Sequence, residues 1–149
     1  MEFRDFLLES DDADIVGTVK KLPKRYQKLL AGYKFNFQDG HTLHKDNQHV
    51  GVIDEKKKSI TIAAPWFHSK EFTLLHEIGH LVWKYLVDKD LRQEWSEIAK
   101  DSKIKENDEE LFCHSFANHF CKHKNLSFYN KEWDKFINRL NNGAKKDNK

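Results

Sequence analysis

The period of the apolar residues changes once along this chain, near Ser69, and that change restricts the fold more than any other feature. Before it, apolar residues alternate. In "YKFNF", Tyr33, Phe35 and Phe37 fall on one face of a strand. "VGVID" and "SITIAA" flank the charged turn "EKKK" and predict a β-hairpin, with Pro65 ending its second strand. After it, Phe72, Leu75, His76, Gly79, His80 and Trp83 recur at helical spacing, with Ser69 as the N-cap. "KDLRQEWSEIAK" predicts a second helix with Leu91, Trp95 and Ile98 inward. "NDEELFCHSFANHFCKHK" predicts a third, capped by Asn107 and acidic in its first turn, and "NKEWDKFINRLNN" a last one that buries Trp133, Phe136, Ile137 and Leu140. An earlier short helix is expected after Pro23, with Tyr26, Leu29 and Leu30 on one face and Gly32 as its stop. Strands first and helices second is an α+β order.

The length of 149 residues suits one domain with one core, placed here at residues 1–142, and residues 143–149 read as a disordered tail. A net charge of +2, mixed in sign along the chain, is too small to argue for nucleic acid, and none is expected as a partner. No apolar run approaches the roughly 20 residues that span a bilayer, so no membrane partner is expected. The start, "MEFRDFLLESDDAD", is acidic where a signal peptide is basic, which places the chain in the cytoplasm as an expectation. Cys113 and Cys121 fall about two turns apart on one helix, too far for a disulfide, and are expected to be small buried hydrophobes.

The apolar helix "FTLLHEIGHLVW" carries two histidines and a glutamate that are costly to bury without a purpose. Residues i and i+4 share a helix face, so His76 and His80 can aim two imidazoles at one point. Glu77 points in a neighbouring direction, from which it can reach a water on the metal. This is the arrangement of a zinc site in which the metal acidifies that water and the glutamate takes its proton. Gly79, between the histidines, leaves room for another element to pass close to the metal.

A catalytic zinc keeps three protein ligands and an open position. Position 86 is Leu, which removes a third histidine six residues after His80. Asp88 and Asp90 fall at the helix end, and Glu94 and Glu97 are expected to face water. In "ELFCHSFANHF", Leu111, Phe112, Phe116 and Phe120 make an apolar face, with Glu110, His114 and Ala117 on an adjoining stripe. Glu110 is the expected third ligand, with Glu109 and then Asp108 as alternatives. His114 either hydrogen-bonds a ligand or the developing oxyanion, binds the metal itself, or packs as a core histidine.

This combination resembles the gluzincins of the anthrax lethal factor catalytic-domain type, which include the Pro-Pro endopeptidases. The likeness is carried by "TLLHEIGH", by Glu110 to Phe116 in place of "E-x-F-A-E-x-F", and more weakly by "LPKRYQKLLAGYKF", "SITIAAP" and "KFINRL", over about residues 15 to 142. It implies a zincin-like fold and one zinc per chain, held by His76, His80 and Glu110, with Glu77 as general base. It also implies an extended peptide substrate paired along an edge strand, Ser59–Ala63. The chain departs from the pattern twice. His114 stands where the family has a second Glu, and no Tyr occurs between Tyr85 and Tyr129 to serve the oxyanion, Lys103 lying about where it would fall.

The remaining histidines read more plainly. His41, His44 and His49 share a polar loop, His68 precedes the motif helix, and His119 and His123 are expected at the surface. The sequence therefore points to a zinc metallopeptidase. The rival readings are a regulatory peptidase that cleaves repressors, and a zinc-holding binding module or effector without turnover.

Overall fold

A computed structural model describes residues 13–38, 51–63, 70–104, 106–121 and 130–143. The described residues form six helices and a small mixed sheet, an α+β fold that is mostly helical. In chain order they are α1 (Ala13–Lys20), α2 (Lys24–Leu29), β1 (Lys34–Gln38), β2 (Gly51–Asp54), β3 (Ser59–Ala63), α3 (Lys70–Leu86), α4 (Lys89–Ala99), α5 (Asp108–Phe120) and α6 (Lys131–Asn141). Among the described residues no helix is long and apolar enough to cross a membrane. Ser69, Pro65, the loop histidines, His68, His123 and the tail beyond residue 143 lie outside the described residues.

The chain divides into two compact units, Met1–Glu77 and Ile78–Lys149, and the division falls inside α3. In the first unit, Pro23 caps α2 and Gly32 leaves it with φ +83°, a conformation that glycine adopts without a Cβ penalty. Tyr26 and Leu30 are fully buried. β2 and β3 form the expected hairpin across Glu55–Lys58, where the Asp54 carboxylate accepts a 3.1 Å hydrogen bond from the Lys57 amide and Lys58 takes a left-handed φ of 50°. Ile60 and Ile62 of β3 are buried while the alternating Ser59 and Thr61 are half-buried, so the strand has one core face.

One expectation about the sheet is corrected. The strand order is β1-β3-β2, so β3 is the central strand, parallel to β1 and antiparallel to β2. Ser59–Ala63 therefore has both its ladders in use and cannot accept an added peptide strand. Alternation marks a strand with one buried face and does not distinguish centre from edge.

The second unit is built around aromatic rings. Trp95 is fully buried and meets Phe112 edge-on at 5.6 Å, Phe136 at 5.2 Å and Trp133 at 5.8 Å between centroids. Each such pair adds about 0.5–1.5 kcal/mol beyond its burial. The buried indoles also satisfy their N–H groups. Trp95 Nε1 donates to the Asp108 carbonyl at 2.9 Å, and Trp133 Nε1 to the Ile98 carbonyl at 3.1 Å. Caps define the helix starts: Asp88 accepts from the Leu91 amide, Asn107 from that of Glu110, and Asn130 from those of Glu132 and Trp133. Arg92 closes α3 by donating to the carbonyls of Trp83 at 2.8 Å and Val87 at 2.9 Å. Cys113 and Cys121 are buried and form no disulfide, as expected of small hydrophobes.

Two surface expectations are also corrected. Glu94 does not face open water: it is ion-paired with Arg139 of α6. His119 is half-buried, its Nδ1 2.5 Å from Asp134 Oδ1 and its Nε2 3.1 Å from Asn141 Nδ2. Both partners lie on α6, which the helical pattern of α5 alone does not reveal.

Candidate metal centre

α3 carries the motif. It is buried around most of its circumference, from Thr73 through Trp83, so few of its positions face water. His76, Glu77 and His80 lie on consecutive turns of this unbroken helix, and each offers a ligand atom within 4.8 Å of the others. Both histidines are half-buried, and Glu77 is 8% exposed. The burial of Glu77 has a neighbour that makes room for it. A Cβ built on Gly51, the first residue of β2, would stand 2.5 Å from Glu77 Cγ and 2.6 Å from its Oε1. Only glycine fits beside that carboxylate without displacing it.

In the second unit, α5 meets the C-terminal half of the motif. A Cβ on Gly79 would lie 3.1 Å from the Cys113 Cα, so the absence of a side chain there is what lets the α5 backbone approach. The approach was expected at Gly79, and the element that makes it is the helix bearing the acids. The Asn107 side chain accepts a 2.8 Å hydrogen bond from the Glu110 amide and fixes the first turn of α5. The Trp95 indole holds the Asp108 carbonyl from the other side.

From that turn two consecutive carboxylates reach one ring. Glu109 Oε2 lies 2.6 Å from His80 Nδ1, and Glu110 Oε1 lies 3.3 Å from His80 Nε2. Two ligand atoms that share a tetrahedral zinc at about 2.0–2.1 Å stand about 3.3 Å apart. The separation of His80 Nε2 from Glu110 Oε1 therefore suits a metal between them. The donor types, imidazole and carboxylate, also suit zinc, and other divalent ions as well. Glu109 sits at the opposite nitrogen of the same ring.

His114, one turn after Glu110, engages a different acid. Its Nε2 lies 2.7 Å from Glu106 Oε2, in the segment just before α5. Glu106 was not singled out by the sequence, and its place in a non-helical segment left no periodic signal. Lys103 is exposed. Asp88 caps α4 and is thereby removed from the set of ligands.

No family model, curated protein or solved structure matches the chain.

Proposed function

We propose that the chain is a zinc-dependent metallopeptidase with a zincin-like fold of the gluzincin type, one zinc per chain being held by His76, His80 and Glu110. The observation that carries this reading is the His80 imidazole held between two carboxylates, with Glu110 Oε1 3.3 Å from Nε2, on a helix that bears Glu77 beside the other histidine. When bound, the zinc supplies Lewis acidity, lowering the pKa of a water and polarising a peptide carbonyl.

Glu77 then takes a proton from the attacking water and delivers it to the departing amide nitrogen. Gly51 leaves the space that this carboxylate occupies, so no side chain of β2 displaces it. The substrate is proposed to be an extended peptide. Since β3 is central, the strand that receives it is β2, whose outer edge pairs with no other described strand and whose first residue touches Glu77.

A zinc-holding module without turnover has one observation in its favour. His114 Nε2, one of the two candidate oxyanion donors, is engaged with Glu106 Oε2 at 2.7 Å.

The test is zinc content after purification without added metal, for the wild type and Glu110→Ala in parallel. About one zinc per wild-type chain, lost in the variant, supports the three-ligand site. No zinc in either protein, even after zinc is supplied, overturns it.

A further inference from the structure

We infer that Glu109 is a positioning residue of the metal centre: through Nδ1 it holds the His80 ring so that Nε2 faces Glu110, and it thereby raises the affinity for a divalent ion. The inference rests on the metal-centre reading above and adds to it a residue outside the ligand set.

A carboxylate only accepts hydrogen bonds, so the 2.6 Å contact with Glu109 Oε2 assigns the proton to His80 Nδ1. In the neutral ring that a metal requires, the lone pair is then on Nε2, on the side where Glu110 Oε1 lies at 3.3 Å. The two nitrogens point away from each other, so the acid at Nδ1 orients the ring while the acid at Nε2 shares its ion. Consecutive helical residues diverge by about 100°, which is why neighbours in sequence reach opposite sides of one ring.

Glu109 is itself well placed to impose an orientation. Its peptide neighbours are both fixed, Asp108 through its carbonyl by the Trp95 indole and Glu110 through its amide by Asn107. Gly79 brings this turn against α3 by admitting the α5 backbone at Cys113. Outer carboxylates of this kind fix the tautomer of a ligating histidine and raise its basicity.

The experiment measures zinc affinity by competition with a chromophoric chelator for the wild type, Glu109→Ala, Glu109→Gln and Glu110→Ala. Circular dichroism of each zinc-free protein reports its folding. Glu109→Ala is expected to weaken zinc about ten- to hundred-fold. Glu109→Gln keeps an oxygen acceptor for Nδ1–H and is expected to recover part of that loss, while Glu110→Ala loses more than either. In the zinc-bound wild type, a proton-detected nitrogen spectrum is expected to show a protected proton on His80 Nδ1, which Glu109→Ala exposes to exchange. Wild-type affinity in Glu109→Ala overturns this inference and leaves the metal centre standing. A loss equal to that of Glu110→Ala overturns it in another way, by making Glu109 a ligand. A wild type that binds no zinc overturns the metal centre itself.

Discussion

Gly79 and Cys113 are in backbone contact: a methyl group at position 79 would stand 3.1 Å from the Cys113 Cα. The metal ligand proposed on α3 and the acids proposed on α5 are neighbours because of that contact.

Gly79→Ala sets two effects against each other. Alanine gains up to about 1 kcal/mol in helix propensity, while overpacking against a main chain costs about 1–3 kcal/mol. The obstructing atom belongs to a helix backbone and cannot swing aside, so the net is expected to be a loss of about 1 kcal/mol. Urea unfolding of the zinc-free protein measures it, and an unchanged or raised midpoint would contradict the close approach.

Glu77→Gln separates chemistry from binding. It removes a proton acceptor and leaves His76, His80 and Glu110 intact. Zinc stoichiometry is expected to stay at the wild-type level while turnover of a peptide-library substrate falls about 10²–10⁴-fold. Equal cleavage by both proteins would assign the hydrolysis to a contaminant or to another base.

Gly51→Ala tests the wall beside Glu77. The added methyl group would meet Glu77 Cγ, Cδ and Oε1 at 2.5–2.7 Å, so the carboxylate must move. Misplacement by about 1 Å costs on the order of 10²-fold in rate, and kcat is expected to fall by that much with zinc affinity unchanged. A lowered zinc affinity would show instead that the substitution disturbs the whole helix.

Tyr26 supplies the pH dependence. Its burial raises the hydroxyl above the usual tyrosine value of 10.0, outweighing the nearby Arg25 charge that lowers it. The folded chain thus holds this proton more tightly than the unfolded one. Its contribution is full below about pH 10 and is lost as pH rises above it, by up to about 1.4 kcal/mol per pH unit. Unfolding free energies at pH 8 to 11 for the wild type and Tyr26→Phe measure the difference, and parallel slopes above pH 10 would refute it.

Features fixed by near neighbours were legible before the structure. Asn107 caps α5, Gly32 ends α2, and "EKKK" turns the β2–β3 hairpin, each through a contact a few residues long. α1 was not legible, because "ADIVGTVK" combines Gly17 with Val16, Thr18 and Val19, all weak helix formers. The partners of distant residues were equally hidden. Glu94 meets Arg139 across 45 positions, and β3 is central because β1 joins it from the side opposite β2. The site was legible to the extent that its residues sit on one helix. Glu109 and Glu110 were both in view, but helical spacing cannot say which nitrogen of His80 each would meet.

The central position of β3 also orders the folding of the sheet in time. β2 and β3 close over the short turn Glu55–Lys58, and hairpins of this kind form within about 1–10 μs. β1 pairs with β3 in parallel, in a ladder that joins Lys34 to Ser59 and pays a larger loop-closure entropy. The hairpin is therefore expected to form first and β1 to join it. A lesion in the turn delays both pairings, whereas a lesion in β1 leaves the hairpin rate untouched.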